Sequence, residues 1–294
     1  MTSRAGLHGT TSLIAIRCSA LSTYADCPRR AAANLFRKEI EAWGFTLKHQ
    51  RPSIGSVIGT AVHAGTAAML KAKVEHDTLG AEAEVTDLAI ASLRQGAIDG
   101  VMMDEVTNNL NTGEKQIRRM LAIYREQVAP TVTPLLIEER LEAEVAPGII
   151  LTGHPDLVAR EFKRVRDTKT GVVKRQHRPQ VGGYSLLARS KEDPIDIESV
   201  GVDFIKRVRL EKPQPDVVSD IDDVGLAESA ATNVVRTIAA DLKVFREGDQ
   251  ARHLEPGDPW SFLANPMSML CSSKYCSAAH TDWCQECPSK GGEP

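Results

Sequence analysis

The sequence of 294 residues contains no hydrophobic run that approaches the roughly 20 residues needed for a membrane-spanning helix. Its first residues, MTSRAGLHGTTSLIAIRC, lack an apolar block followed by a small-residue cleavage site. We therefore expect no membrane span and a cytoplasmic location. Internal repeats and low-complexity segments are also lacking, and the 42% hydrophobic and 26% charged residues are typical of a globular protein with a substantial core.

An excess of positive charge is lacking as well, because 36 basic residues face 39 acidic ones and the net charge is -3. The field of the whole molecule therefore indicates no polyanionic partner, and nucleic-acid binding would require a local basic patch. Such runs are also common on solvated faces. Two candidate patches are present: Lys163, Arg164, Arg166, Lys169, Lys174, Arg175, His177 and Arg178, and a second group of Arg29, Arg30, Arg37 and Lys38.

Hydrophobic periodicity changes from helical to strand-like near residue 134. We predict helices over 19–43, 55–74, 81–99 and 114–128, with a polar turn between the last two. Strands are then predicted over 135–145, 148–159 and 162–170, followed by a helix over 178–190, a strand over 198–210 and a helix over 224–245. This βββαβα order predicts an α/β (α+β) fold with a mixed central sheet flanked by helices. We expect an N-terminal helical region (1–133), a core (134–250) and a cysteine-rich tail (251–294).

Two carboxylates and a lysine occur at the ends of neighbouring predicted strands, in GHPD at 153–156 and DTK at 167–169. Asp156 and Asp167 could bind a divalent cation together with the backbone carbonyl of Thr168, since hard cations prefer oxygen ligands. Lys169 shares a strand face with Asp167 and could orient an attacking water. This is the minimum equipment for metal-assisted hydrolysis of a phosphodiester. Alternatively, Asp156 is a turn residue and Lys169 a surface charge.

Three further polar residues could complete such a site. Gln180 and Tyr184 are four apart on a predicted helix and so share one face. His63 lies on an earlier predicted helix and could be an additional metal ligand, although a single helical histidine is more often an ordinary core or surface residue.

The ordered motifs resemble the PD-(D/E)XK nuclease superfamily, specifically its RecB-like exonuclease branch, which includes CRISPR adaptation nucleases and phage recombination exonucleases. The matching segments are SALSTYADCPRR (19–30), GTAVH (59–63), GHPD (153–156), DTKT (167–170) and QVGGY (180–184). The resemblance implies a restriction-endonuclease-like fold and Mg²⁺ or Mn²⁺ at the site. It also implies metal binding by His63, Asp156 and Asp167, catalysis by Lys169, and completion of the site by Gln180 and Tyr184.

Six cysteines in a reducing compartment are more often ligands or packing residues than disulfides. The same resemblance implies a [4Fe-4S] cluster bound by Cys27, Cys271, Cys276 and Cys284, which would hold the tail against the N-terminal helix. Cys287 is then spare, although the choice between Cys284 and Cys287 stays open. Zn²⁺ held by the four C-terminal cysteines is the alternative.

These features predict a metal-dependent DNA exonuclease that acts on single strands or duplex ends in recombination, repair or phage replication. DNA is the expected partner, with a recombination or replication protein as a possible second one. The alternatives are an inactive nucleic-acid-binding protein and a zinc-bearing scaffold.

Overall fold

The structure is a computed structural model that describes residues 13–287. Its N-terminal part is a short strand followed by six helices. The expected helix over 19–43 is divided into three, because Cys27 is extended (φ -152°) before Pro28 begins a new helix, and Phe36 (φ -116°, ψ 24°) departs from helical geometry between the second and the third. The polar turn expected over 108–115 is largely helical, because the Asn109 side chain accepts from the Thr112 backbone N–H and caps a helix that begins at Leu110. The elements are β1 (Ile14–Arg17), α1 (Cys18–Asp26), α2 (Pro28–Leu35), α3 (Arg37–Ala42), α4 (Ile54–His76), α5 (Glu82–Gly96) and α6 (Leu110–Gln127).

The second half contains the remaining seven strands and two long helices of the described residues. The three strands expected between 135 and 170 are five shorter ones. Glu138 adopts a left-handed backbone (φ 50°), and Pro155 cannot donate a backbone hydrogen bond, so the pairing is interrupted at both places. The elements are β2 (Pro134–Leu136), β3 (Leu141–Ala146), β4 (Ile149–Gly153), β5 (Leu157–Ala159), β6 (Arg164–Gly171), α7 (Arg178–Arg189), β7 (Ser199–Lys206), β8 (Val218–Asp222) and α8 (Val224–Glu247).

The strands form two sheets. The larger has the order β2-β5-β6-β7-β8, in which only the β6 and β7 pair is parallel. The smaller has the order β1-β4-β3, with β1 parallel to β4. The expected mixed sheet flanked by helices is confirmed, whereas β1 and β8 were not expected.

Helices cover both faces of the larger sheet. Val158, Val165 and Val200 pack in a core shared with α1, α7, α8 and the C-terminal tail. Leu157 and Ile205 face the opposite way, into a second core built from α4, α5 and α6. Because strand side chains alternate, Asp167 and Lys169 point to the same side as Val165, toward α7.

After α8 the chain to residue 287 has no helix longer than a single turn, as its prolines predict. This segment lies against α1 to α3. The Trp283 indole N–H donates to the Arg29 carbonyl at 3.2 Å, and the Asn265 amide donates to the Asp26 carbonyl at 2.8 Å. No helix within residues 13–287 combines the length and the apolar character that crossing a membrane demands.

Candidate active site

The register of β5 and β6 brings the two aspartates of the motifs together. Leu157 pairs with Arg166, so Asp156 immediately precedes β5 opposite Asp167 on β6. The backbone N–H of Thr168 donates to Asp156 Oδ2 at 2.6 Å. Asp156 is 8% exposed and Asp167 is fully buried. Two carboxylates therefore lie side by side in a largely water-excluded position.

Helix α4 adds His63 to this pair. A Cβ atom at Gly59 would lie 3.1 Å from Thr170 Oγ1, so the glycine lets the helix lie close to β6 without pressing on this hydroxyl. One helical turn later His63 faces the sheet, and its Nδ1 lies 3.0 Å from Asp156 Oδ1. The GTAVH motif thus combines a contact residue with a site residue on one helix face.

Glu138 also lies in this group, although no sequence motif pointed to it. Its Oε1 lies 3.9 Å from His63 Nδ1, and the ligand atoms of Glu138, His63 and Asp156 all lie within 4.8 Å of one another. Two contacts hold the left-handed backbone of Glu138. Its N–H donates to the Pro155 carbonyl, and its own carbonyl oxygen lies 3.3 Å from His154 Nδ1. The sequence predicted one continuous strand over 135–145 and gave no indication of the bend at Glu138.

Lys169 and α7 complete the group on the other side of Asp167. Lys169 Nζ lies 2.7 Å from Asp167 Oδ2. The Gln180 amide donates to Asp167 Oδ1 at 3.2 Å and to the Tyr184 hydroxyl at 3.0 Å. The structure therefore links all the predicted side chains, from His63 to Tyr184, through contacts. The carboxylate oxygens of Asp167 face Lys169 and Gln180, however, and Asp167 does not join the ligand atoms of His63, Glu138 and Asp156 that lie within 4.8 Å of one another. Thr168 contributes its backbone N–H to Asp156; a role for its carbonyl stays a prediction.

Close packing explains the glycines in two of the motifs. A Cβ atom at Gly182 would lie 1.9 Å from the Ala227 carbonyl oxygen of α8, and one at Gly153 would lie 2.7 Å from Tyr184 Cε1. Side chains at these positions would force α7 away from α8 and displace Tyr184. The glycines thus fix the position of the helix that carries Gln180.

The burial of these charges changes their protonation. Burial opposes charge on His63, but the neighbouring Asp156 outweighs it and raises the pKa of His63 to about 9. Burial and the charge of Asp156 raise the pKa of Glu138 to about 7. Burial, partly offset by Lys169, raises the pKa of Asp167 to about 6. The pKa of Lys169 is raised despite burial, because Asp167 and Asp156 stabilise its charge. A bound cation would reduce the repulsion between these neighbouring carboxylates.

The basic patches are only partly exposed. In the first, Arg166 makes a bidentate ion pair with the buried Asp203 at 2.8 and 2.7 Å. In the second, Arg29 and Arg30 are 2% and 4% exposed. Arg30 pairs with Asp26, and the Arg29 Nε–H donates to the Phe262 carbonyl. Arg29 and Arg30 therefore support the packing of the tail, and only Arg37 and Lys38 of the second patch reach the surface.

Five cysteines lie together between α1 and the tail. Cys27 follows α1, and the Cys271 and Cys287 sulfurs are 2.6 Å apart. The neighbouring thiols Cys284 and Cys27 contribute to the raised pKa of both Cys271 and Cys276, in each case after burial. Cys287, expected to be spare, belongs to the same group. Within residues 13–287 no three cysteine sulfurs lie within 4.8 Å of one another.

The chain belongs to the PD-(D/E)XK nuclease superfamily, which it matches over residues 16–291. It is therefore a nuclease by family, and this superfamily hydrolyses phosphodiesters with divalent metals such as Mg²⁺ or Mn²⁺. No curated protein sequence matches the chain.

Solved structures that resemble the chain include the following two. One is the crystal structure of a protein from Eubacterium rectale with the name Putative exonuclease, at 11% identity and a TM-score of 0.50, covering 80% of this chain and 83% of that one. This likeness supports the fold. The other is SSO0001, at 13% identity and a TM-score of 0.29, covering 84% and 93%.

Proposed function

We propose that this chain is a metal-dependent DNA exonuclease of the RecB-like branch, acting on single strands or duplex ends. The observation that carries the proposal is the convergence of Asp156, Asp167 and Lys169 from adjacent strands into one buried group. The name of the Eubacterium rectale protein agrees with exonuclease action. Recombination, repair or phage replication in the cytoplasm, with a recombination or replication protein as partner, is the proposed setting.

The side chains fit a divalent cation. Carboxylate and imidazole donors of His63, Glu138 and Asp156 already lie within 4.8 Å of one another. We assign metal binding to His63, Asp156 and Asp167 with the Thr168 carbonyl, and add Glu138. A bound ion would neutralise charge on the phosphate and lower the pKa of the attacking water.

The remaining residues position the reactants. Lys169 stays charged because Asp167 and Asp156 raise its pKa, and its ammonium is suited to orient the water and to stabilise charge on the phosphate. Gln180 donates to Asp167 and to Tyr184, which holds the carboxylate against α7. We assign Gln180 and Tyr184 to the completion of this site.

The proposal is tested by incubating three substrates with Mg²⁺ or Mn²⁺: end-labelled single-stranded DNA, end-labelled linear duplex DNA, and internally labelled circular DNA. Loss of linear substrates with survival of the circle is the expected exonuclease pattern. Lys169→Ala and Asp167→Asn should each lower the rate at least about 100-fold, since each removes a group that acts on the transition state. Lys243→Ala, at a lysine with 72% of its side chain exposed on α8, is the matched control and should cleave normally.

Cleavage retained in the folded Lys169→Ala and Asp167→Asn proteins would place the chemistry elsewhere. Absence of cleavage by the wild-type protein, with DNA binding intact, would instead support an inactive binding protein.

We also propose a structural [4Fe-4S] cluster bound by Cys27, Cys271, Cys276 and either Cys284 or Cys287. The proposed division of the chain is an N-terminal region (1–133), a core (134–250) and a tail (251–294), and the cluster would join the tail to the N-terminal region. The proximity of Cys27 to the tail thiols supports the cluster. The thiols as they stand do not form a closed tetrahedron, which at Zn–S bonds of about 2.3 Å would bring all sulfurs within about 4 Å. Anaerobically purified protein should be brown, with equal iron and sulfide. Colourless protein containing zinc would contradict the cluster.

A further inference from the structure

The loop of residues 172–177, which we name the β6–α7 loop, lies beside the candidate active site. It begins directly after β6, three residues beyond Lys169, and ends at α7, three residues before Gln180. Both of its ends are therefore fixed by elements that carry site residues. The loop is short enough that every residue in it stays near the site.

Two ion pairs hold the base of this loop against the edge strand. Lys174 pairs with Asp220, and the Arg178 Nε–H donates to Asp222 Oδ2 at 2.5 Å. Arg175 is exposed and has no ion pair among the described residues of the chain. Its cation is therefore available to a ligand, whereas its two basic neighbours are neutralised.

The position of His177 shows that the loop and the site share one electrostatic environment. This half-buried imidazole has its pKa lowered to about 4, first by burial and then by the charges of Lys169 and Arg175. The guanidinium of Arg175 thus acts on the same group as the ammonium of Lys169. Lys169 and Arg175 therefore both lie near His177.

The loop also exposes apolar surface at this place. Val172 is 40% and Val173 is 55% exposed, although valine side chains are usually buried. Both precede the two basic residues and follow the strand of Asp167 and Lys169. A nucleic acid matches this combination, because its phosphates can pair with Arg175 and the apolar faces of its bases can pack against the two valines.

We propose that the β6–α7 loop binds the nucleic-acid strand next to the reacting phosphate, and that it selects unpaired nucleotides. Arg175 binds a backbone phosphate, and Val172 and Val173 pack against an unstacked base or its sugar. In an intact duplex the base faces are covered by stacking, so only a single strand or a frayed end offers both contacts. The inference rests on the proposed nuclease function and adds the residues that select the unpaired strand.

Fluorescence anisotropy in EDTA, which prevents cleavage, tests this with a labelled oligothymidylate and a labelled blunt duplex. Arg175→Ala should weaken binding to both about tenfold and reduce the salt slope by about 1, as loss of one phosphate contact predicts. The double variant Val172→Ser and Val173→Ser should weaken binding of the oligothymidylate about tenfold and leave the duplex within twofold, as loss of a contact to a base predicts.

Matched controls come from exposed positions on α6 and near the end of α4. Arg118→Ala removes an exposed arginine on α6, and Val74→Ser changes a valine that is 60% exposed on α4. Both should bind like the wild type. If the wild type cleaves DNA while the loop variants bind as it does, or the controls lose as much affinity, the inference is wrong. Failure of the wild type to bind or cleave either DNA would overturn the proposed function itself.

Discussion

At the scale of single residues, Glu138 adds a second carboxylate beside Asp156 and His63 at the candidate metal site. Because it lies within 4.8 Å of the ligand atoms of His63 and Asp156, we expect Glu138→Gln to lower the affinity for Mn²⁺ about tenfold or more. Isothermal titration with Mn²⁺ measures this. Glu139→Gln is the control, because it removes the same charge from an exposed neighbour that pairs with Lys191. Equal affinities in the two variants would exclude Glu138 as a ligand.

Away from the site, the Asp104 carboxylate holds the end of β7. It accepts from Arg207 Nη1 at 3.0 Å and Nη2 at 2.5 Å, and Arg207 is 4% exposed. Asp104→Ala should cost about 3 kcal/mol in the free energy of unfolding, because it leaves the buried Arg207 guanidinium without a carboxylate and with Thr107 Oγ1 as its remaining side-chain acceptor. Denaturant unfolding at neutral pH measures this. Asp99→Ala, at an exposed aspartate of the same connection, should cost less than about 0.5 kcal/mol.

This contribution depends on pH with a defined sign. Burial opposes the charge on Asp104, but hydrogen bonds from Arg207 and from the Thr107 backbone lower its pKa below the usual range. The stabilisation is therefore complete above about pH 3.9, the pKa of an unfolded aspartate, and is lost as the pH falls through the lower folded value. The difference between wild type and Asp104→Ala should thus narrow only in acid. A difference that already narrows near neutral pH would contradict this assignment.

At the scale of elements, the contact between α7 and α8 depends on a missing side chain. A Cβ atom at Gly182 would lie 1.9 Å from a backbone oxygen of α8, which cannot move without the helix. Gly182→Ala should therefore destabilise the protein by about 1–3 kcal/mol and displace Gln180. Gly113→Ala on α6 meets only ordinary contacts of 3.5–3.6 Å and should be neutral or stabilising. Thermal unfolding of both variants measures the contrast, and equal effects would contradict it.

The helices and strands differ in how closely the sequence predicted them. α4, α7 and α8 were predicted closely because long amphipathic helices have a clear period. β8 reads VSDID with no buried alternation, and the four residues of β1 are placed by pairing with β4, more than 130 positions away. The order of the motifs predicted that Asp156, Asp167 and Lys169 lie close together, and they do, while their catalytic roles stay predictions. Glu138 was not predicted, because a left-handed bend at a glutamate leaves no pattern in the sequence.

At the scale of the whole molecule, the end of α1 and the segment that follows α8 meet at the cysteines. The tail builds little regular structure of its own, yet Trp283 and Phe262 are buried in the main core together with Phe245 of α8. Helix α1 joins this region to the active site. The sulfur of Cys18, at its first residue, would lie 3.0 Å from a Cβ atom at Gly153 of the GHPD motif, and Cys27 follows its last residue. Loss of the tail would therefore disturb the packing behind the site.

Removal of one proposed cluster ligand tests that arrangement. Cys27→Ser should lose iron, lower the Tm by at least about 5 °C, and expose the segment after residue 250 to protease, because the tail would retain only its hydrogen bonds and aromatic contacts. Iron analysis, thermal unfolding and limited proteolysis with mass spectrometry measure these three effects. Cys18→Ala is the control, since Cys18 lies at the opposite end of α1, and it should keep its iron and its protected tail. A Cys27→Ser protein with full iron content and an equally protected tail would show that Cys27 is a packing residue, and that the tail is held by its aromatic core alone.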